Sequence, residues 1–225
     1  MAVHPRSRPP ARAPQPKPRP RWPLAAAAVA LVALVWALWP SAEIANRDSR
    51  GSGIVAFGDS LTAGVGAKEG EDYPSRLSAL IGQPVVNAGR SGDTTESAMD
   101  RLDADVIALN PRIVIVGLGG NDFLRGDTLA STEANLRTIV RKIQAGGAMV
   151  VLLGFQFPSL GADYGSMYER VADDEKCLLV EGVLSGILTD PALRSDQIHP
   201  NARGYELMAE RMSGPLQKLI RKADA

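Results

Sequence analysis

One short segment places a serine just after an apolar run, where a strand could present a nucleophile. The segment from Ile54 to Gly64 reads IVAFGDSLTAG, and the run from Ile54 to Phe57 is typical of a buried strand. Ser60 follows that run after a glycine and an aspartate. Because a serine hydroxyl is a weak nucleophile until a base takes its proton, a reactive Ser60 requires a base elsewhere in the chain.

Histidine is the base whose ordinary pKa lies closest to neutral pH, and the chain contains two histidines. His4 lies in a proline- and arginine-rich stretch with too little aliphatic content to bury a core. The remaining candidate is His199, in the sequence RSDQIHPNARG, with Asp196 three residues before it. Asp196 could hydrogen-bond one ring nitrogen and leave the other facing Ser60. Such a nucleophile, base and orienting carboxylate are the groups that acyl transfer uses.

Acyl transfer also needs hydrogen-bond donors for the oxygen that becomes negatively charged in the transition state. Two polar segments that each follow an apolar run, NAGRSGDT and GLGGND, supply candidates. The backbone N–H groups of Ser60 and Gly92 and the side-chain amide of Asn121 could form this oxyanion hole. Glycine at position 92 would let the backbone approach a ligand closely.

The elements that must position these residues alternate between strand and helix. Five short apolar runs are predicted as strands, at residues 54–57, 84–87, 113–116, 148–153 and 177–180. One helical pattern starts at Asp72, with Leu77, Leu80 and Ile81 as its apolar stripe, and a second starts at Thr94 or Thr95 and continues to Leu109, with Met99, Leu102, Val106 and Leu109 on one face, until Asn110-Pro111 breaks it. Further patterns start near Ser131, near Tyr164 and after Asn201, where Pro215 is expected to bend the last helix. This alternation predicts a doubly wound parallel sheet. With strand order 2-1-3-4-5, the first three polar segments meet at one edge of the sheet.

Four motifs in this chain resemble those of the SGNH, or GDSL, hydrolases. They are GDSL at Ser60, SGDT with Gly92, GGND ending at Asn121 and Asp122, and DxxH from Asp196 to His199, and they cover roughly residues 54–209. The segments GGNDFLRG and SDQIHPNARGYELMAERM are similar to the bacterial branch that contains arylesterases and thioesterase I/lysophospholipase. No motif position departs from the family pattern.

The resemblance implies a three-layer α/β/α flavodoxin-like fold with a five-stranded parallel sheet. It implies Ser60 as nucleophile, His199 as base and Asp196 as its partner, with Ser60, Gly92 and Asn121 as the oxyanion hole. The expected activity is hydrolysis of carboxylic esters through an acyl-enzyme, with aryl, alkyl, thio- and lysophospholipid esters all open. The alternatives are a deacetylase of cell-envelope glycans and a non-catalytic, membrane-tethered binding module, which would be expected to have lost Ser60 or His199.

The substrate pocket is less well defined by the sequence. No long insertion suggests a lid, so an open cleft is expected. Four aromatic residues in predicted loops could line an apolar pocket or simply pack those loops: Phe123, Phe155, Phe157 and Tyr164.

Other chemistries fit the residues less well. The glycines of GVGAKEG have the wrong spacing for a nucleotide loop, and one cysteine with one histidine in the body provides no metal site, so no cofactor or metal is expected. Cys177 is interpreted as a small buried residue in a strand. Three aspartates could be imagined as a glycosidase acid pair: Asp59, Asp93 and Asp122. We interpret them instead as helix caps and loop braces, and Asp122 could hold Asn121 in place.

The N-terminal region differs in composition from the rest of the chain. Its first 42 residues contain six Lys and Arg and no acidic residue, which leaves 19 basic and 25 acidic residues, a net charge of −6, for the remainder. An acidic body argues against nucleic acid as a partner. Residues 24–39 form an uncharged apolar run with tryptophans near both ends, which favours an uncleaved membrane anchor; a cleaved signal peptide is the alternative.

The predicted organisation is a disordered Pro/Arg-rich cytoplasmic tail at residues 1–22 and an anchor or signal helix at 23–40. A linker at 41–52 and a hydrolase domain at 53–223 follow. A basic tail stays on the cytoplasmic side, so the catalytic domain is expected to face the periplasm or the outside. A small ester or lipid-like molecule is the expected substrate.

Overall fold

Five short parallel strands form a single sheet, as the apolar runs predict. The structure, a computed structural model, describes residues 43–155 and 162–224. The strands are β1 (Ile54–Gly58), β2 (Val85–Gly89), β3 (Ile113–Gly117), β4 (Met149–Gly154) and β5 (Leu178–Glu181). Their order is β2-β1-β3-β4-β5, and every pairing is parallel. The predicted fold class and strand order are confirmed.

The register of the first three strands brings their carboxyl ends to the same level. Gly58 at the end of β1 lies opposite Gly89 on one side and Gly117 on the other. The loops that follow these strands therefore start from neighbouring points on one edge of the sheet. Those loops carry Ser60, Gly92 and Asn121, so the register alone brings the three candidates into one region.

Helices cover the sheet in two groups, which gives the three-layer arrangement. They are α1 (Ser60–Ala63), α2 (Tyr73–Ile81), α3 (Thr95–Met99), α4 (Leu102–Asp105), α5 (Gly120–Arg125), α6 (Leu129–Ala145), α7 (Ala162–Asp174) and α8 (Ala202–Ala223). Helix α2 packs against α8, whereas α6 packs against both α3 and α7. All residues of β1, β3 and β4 are buried, as expected for strands covered on both faces.

Helix starts follow the predicted side-chain caps in most places. The Asp72 side chain accepts the N–H of Ser75 at the start of α2, and Asn201 caps α8 in the same way. Helix α6 begins at Leu129, two residues earlier than predicted, because Thr128 rather than a later residue supplies the cap. Pro215 lies inside α8 without ending it.

The prediction of one continuous helix from Thr94 to Leu109 is wrong. The segment forms α3, α4 and a 3₁₀ turn at Ile107–Leu109, with Arg101 between the two helices. The break turns the Arg101 side chain inward, where it is buried beneath the sheet edge. The same irregularity leaves Leu109 exposed, although the helical pattern placed it on the apolar face. In α2, Leu80 was predicted on the apolar stripe and is exposed as well.

Part of the segment predicted as a linker is hydrogen-bonded to the domain, beginning with the Ala45 N–H, which donates to Lys176 O. The Asn46 side chain donates hydrogen bonds to the carbonyls of Gln144 and Ala148, and Arg47 donates to Lys222 O.

The predicted anchor at residues 23–40 and Phe157 lie outside the described residues. Among the helices within 43–155 and 162–224, none is both long enough and apolar enough to span a bilayer.

Candidate active site

Ser60 is held at a sharp strand-to-helix turn at the end of β1. The Asp59 side chain caps α1 by accepting the Leu61 N–H at 2.9 Å. A side chain at Gly58 would collide with Thr62 Oγ1 and with the carbonyl of Gly117, so only glycine lets α1 approach the sheet this closely. Ser60 is consequently largely buried, with 9% of its surface exposed.

His199 lies on a surface loop that is stabilised mainly by its own hydrogen bonds. Asp196 Oδ1 accepts the backbone N–H groups of Ile198 and His199, each at 2.8 Å. The Ser195 N–H donates to the His199 carbonyl at 2.9 Å and closes the turn. Asn201 then connects the loop to α8, because its amide donates to Ala192 O while its oxygen caps the helix.

The structure brings the three predicted catalytic side chains into one hydrogen-bonded row. His199 Nε2 lies 3.0 Å from Ser60 Oγ, and His199 Nδ1 lies 2.8 Å from Asp196 Oδ2. An ionised carboxylate can only accept, so Nδ1 carries the proton and donates to Asp196. In the neutral ring, Nε2 then accepts from the Ser60 hydroxyl, which is the arrangement a general base requires.

Asp196, at one end of this row, and Asp59, next to Ser60 at the other end, have pKa values shifted in opposite directions. The hydrogen bond from His199, followed by that from the Ile198 N–H, lowers the pKa of Asp196 to about 2. Burial raises the pKa of Asp59 to about 7, and the nearby charges of Asp122 and Asp93 act in the same direction. Asp196 is therefore ionised at neutral pH, as an orienting partner of an imidazole must be.

Asn121 is fixed by the loop that follows β2. Its amide nitrogen donates to the Asp93 carbonyl at 2.8 Å, which leaves its second N–H for another acceptor. Gly92 has φ +85°, in the left-handed region that favours glycine, and its carbonyl accepts from Arg125 at 2.7 Å.

Asp122 braces the same two loops but does not contact the Asn121 side chain. Its buried carboxylate accepts both the N–H of Thr95, at 3.0 Å, and the Thr95 hydroxyl. The suggestion that Asp122 holds Asn121 directly is therefore replaced by a shared attachment of the two loops. The three aspartates behave as caps and braces, because Asp59 caps α1 and Asp93 pairs with Arg101.

Residues 56–207 match the model of the GDSL-like lipase/acylhydrolase family. The chain belongs to this family. It is 33% identical over 178 residues to the esterase TesA of Pseudomonas aeruginosa, covering 74% of this chain and 89% of that protein. Over the same length it is 32% identical to the thioesterase 1/protease 1/lysophospholipase L1 of Escherichia coli, covering 84% of the latter. This chain is therefore an SGNH/GDSL-type hydrolase of ester bonds.

A solved structure shares the fold of this hydrolase. The psychrotrophic esterase EstA from a Pseudoalteromonas species, inhibited by monoethylphosphonate, superimposes with a TM-score of 0.67 at 29% identity. The match covers 75% of this chain and 98% of that one.

The hydrolase has a cavity of about 230 Å³ at Ser60. Ser60, His199 and Asn121 lie in its wall, whereas Gly92 does not. Of the four aromatic candidates, Phe123 lines the cavity. Tyr164 packs edge-on against Phe123 with ring centroids 5.7 Å apart, which supports that wall from behind.

Phe155 does not belong to the pocket, so its prediction as a lining residue is corrected. It directly follows β4 and is 1% exposed, because its ring packs in the core against the ring of Tyr168. Most of the apolar lining comes from residues that the sequence did not single out: Leu61, Leu124, Leu188 and Ile198. Leu61 and Ile198 adjoin Ser60 and His199 and could have been inferred from that adjacency. Leu188 lies in a segment with no periodic pattern and gave no signal.

Proposed function

We propose that this hydrolase is a serine esterase that acts through an acyl-enzyme intermediate. The observation that carries the proposal is the row Ser60 Oγ–His199 Nε2 and His199 Nδ1–Asp196 Oδ2, at 3.0 and 2.8 Å. A serine hydroxyl that already donates to an oriented imidazole is activated without any further movement of the chain.

In the proposed reaction, Ser60 Oγ attacks the ester carbonyl carbon while its proton passes to His199 Nε2. The carbonyl oxygen becomes an oxyanion, for which the N–H groups of Ser60 and Gly92 and the Asn121 amide are the donors. As the tetrahedral intermediate collapses, His199 returns the proton to the leaving alcohol or thiol. Water, deprotonated by the same imidazole, then attacks the acyl-serine carbonyl; the bond to Ser60 Oγ breaks, His199 returns the proton to Oγ, and the carboxylic acid leaves.

Carboxylic esters with short acyl groups are the proposed substrates. The cavity of about 230 Å³ is smaller than the roughly 300 Å³ at which sites for drug-sized ligands begin. Leu124 and Ile198 at its rim are 57% and 43% exposed, so an apolar alkyl or aryl group can rest there. Small acyl groups fit this space, while long chains would have to leave it through the open side.

The test is a series of p-nitrophenyl esters from acetyl to palmitoyl, with an acyl thioester, a lysophospholipid and an acetylated glycan as separate substrates. We expect kcat/KM to be highest between acetyl and hexanoyl and to fall roughly tenfold or more by palmitoyl. Ser60→Ala serves as the blank for every substrate. A maximum on palmitoyl or on the lysophospholipid would contradict the short-acyl assignment, and a maximum on the glycan would favour a deacetylase.

We also propose that residues 23–40 hold the enzyme at the inner membrane with the hydrolase facing the periplasm. The support is the sequence: an apolar run follows six basic residues, and basic residues are retained on the cytoplasmic side. The intact mass of the native protein should correspond to an uncleaved chain, and protease added to spheroplasts should digest the catalytic domain. A mature N-terminus between Pro40 and Asn46 would show a cleaved signal instead.

A further inference from the structure

One buried cation lies beneath the edge of the sheet that carries the site. The Arg101 side chain is 6% exposed, and its guanidinium lies 4.4 Å from the centroid of the Phe57 ring. It donates to Asp93 Oδ2 at 2.6 Å and to Asp105 Oδ2 at 3.0 Å. It also donates to two strand carbonyls, Gly58 O at 3.0 Å and Ala88 O at 2.9 Å.

Apart from Asp105, each of these contacts lies within a few residues of a proposed catalytic group. Gly58 ends β1 two residues before Ser60, and Ala88 is in β2, which leads to Gly92. Asp93 follows Gly92 directly, and its carbonyl accepts the Asn121 amide at 2.8 Å. A single guanidinium therefore connects the ends of β1 and β2 to the residue that holds Asn121.

We propose that Arg101 is a positioning residue for the oxyanion donor Asn121. It acts through Asp93: Arg101 holds the Asp93 carboxylate, and the Asp93 backbone carbonyl accepts the Asn121 amide. The inference rests on the serine esterase mechanism proposed above, and it adds a residue that does not touch the substrate. Oxyanion donors are effective only when they are fixed at the point where charge develops, so a loosened Asp93 would weaken catalysis more than binding.

The chemistry of arginine suits this position and that of lysine does not. A planar guanidinium has five donors and can bond two carbonyls and two carboxylates at once, whereas an ammonium is a point charge with three donors. Arg101→Lys therefore keeps a charge near the buried Asp93 carboxylate but loses part of the network. Removing the charge altogether would leave that carboxylate buried without its cation.

Arg137 provides a matched control in the same protein. It also bonds several carboxylates, those of Glu133, Asp174 and Glu175, and it is only 19% exposed. It joins α6 to α7 and does not line the cavity. Arg137→Lys should therefore affect stability without affecting the oxyanion donors.

The experiment compares Arg101→Lys and Arg137→Lys in the full-length protein, with kcat and KM for p-nitrophenyl acetate and the melting temperature of each. We expect Arg101→Lys to lower kcat roughly tenfold or more while KM stays within about twofold. Arg137→Lys should leave both constants unchanged. A normal kcat in Arg101→Lys, whatever its melting temperature, would overturn the proposal.

A double variant with Asn121→Ala separates positioning from a general loss of stability. If Arg101 acts through the Asn121 donor, adding Arg101→Lys to Asn121→Ala should lower kcat only about threefold or less further. Full multiplication of the two effects would overturn the proposal. If Arg101→Lys fails to fold, Asp93→Asn replaces it. This variant keeps the backbone carbonyl that accepts Asn121 but weakens the contact with Arg101. A normal kcat in Asp93→Asn would overturn the proposal.

The failure of this inference can be told from failure of the proposed mechanism. An active Ser60→Ala variant would remove the serine esterase mechanism itself. An inactive Ser60→Ala variant together with a normal Arg101→Lys variant would remove the role of Arg101 alone.

Discussion

The two sides of the active site are built in different ways. Ser60 and Asn121 lie at the edge of a buried sheet, and the paired Asp93 and Arg101 side chains at the same edge are less than a tenth exposed. His199 and Asp196 lie on a surface loop, and the Asp196 side chain is 53% exposed. Ser60 and Asn121, the proposed nucleophile and oxyanion donor, thus depend on long-range packing, whereas His199, the proposed base, depends on a local turn.

The carboxylates on the two sides show the consequence of this difference. Asp59, beside Ser60, has its pKa raised to about 7 by burial, whereas Asp196 has its pKa lowered to about 2 by donors from its own loop. On the buried side, desolvation destabilises the ionised carboxylate of Asp59, while close packing fixes the geometry around Ser60. The exposed side keeps its carboxylate ionised because water and local N–H groups stabilise the charge. Five predictions test this contrast, beginning with the largest effect.

Replacement of Ser60 by alanine should lower ester hydrolysis by roughly 10⁴-fold or more, because no other group can form the acyl-enzyme. The melting temperature should change little, since the side chain lost is small. Activity is measured on p-nitrophenyl acetate, and covalent labelling with a fluorophosphonate is read by peptide mass spectrometry. Ser185→Ala, at an exposed position outside the cavity, is the control. Labelling at another serine would exclude Ser60 as the nucleophile.

Asn121→Ala should lower kcat by roughly 10²–10³-fold with little change in KM, as expected for one oxyanion donor. The lost hydrogen bond forms with charge that develops only in the transition state. Steady-state kinetics on two esters of different acyl length provide the measurement. An effect confined to KM would mean that Asn121 binds the ground-state substrate instead.

Asn201→Ala tests the exposed side, because this residue connects the base-bearing loop to α8. We expect a loss of stability of about 1 kcal/mol from the missing helix cap and a fall in kcat of roughly tenfold as the loop loosens. Thr128→Ala removes a comparable cap from α6, away from the cavity, and should lower stability alone. Equal effects of both variants on kcat would contradict a specific role for the loop attachment.

Asp59→Asn should change the pH dependence of stability. The native pKa of about 7 lies above the ordinary value of 3.8, so the folded state keeps a proton that the unfolded state loses as pH rises. The wild type should therefore lose stability between about pH 4 and pH 7, by at most about 4 kcal/mol at 1.36 kcal/mol per pH unit. The asparagine variant should show a flatter profile over that window, measured by urea unfolding. If the stability of the wild type and of Asp59→Asn changed in parallel with pH, the titration of Asp59 would not be the cause of the pH dependence.

The pKa of Asp196 is shifted in the opposite direction to that of Asp59, so Asp196→Asn provides the comparison for that experiment. Its native pKa of about 2 lies below the ordinary value, so any stability it contributes is present above pH 3.8 and is lost as pH falls toward 2. Asp196→Asn should leave the stability profile between pH 4 and pH 7 unchanged. A flattened profile of Asp196→Asn in that window would show that the pH dependence of stability comes from the exposed side of the site and not from Asp59.

Much of this architecture could be predicted because the informative signals are local. The run Ile54–Phe57 and the four other apolar runs became strands, since uninterrupted apolar residues of that length are stable only when both faces are covered. Asp72 and Asn201 capped helices for reasons contained within four residues of chain. His199 and Asp196 meet across a turn of three residues, so their contact was also available from the sequence.

The features that could not be predicted depend on residues far apart in the chain. The helix expected from Thr94 to Leu109 breaks at Arg101 so that its guanidinium can reach Gly58, 43 positions away, and the apolar periodicity contains no sign of this contact. Phe155 looked like a loop aromatic but packs against Tyr168. Leu188 enters the cavity from a segment without a periodic pattern.

By itself the sequence determined the strands, the caps, the motifs and the base-bearing turn, because each of these depends on neighbours within a few residues. Only the tertiary structure decided that Ser60 and His199, 139 positions apart, lie at hydrogen-bonding distance. It likewise decided which apolar side chains surround them and that Arg101 reaches Gly58, Ala88 and Asp93. The physical reason is that packing and buried charge pairing depend on distances between elements, and those distances follow from strand order and register once the whole core is assembled.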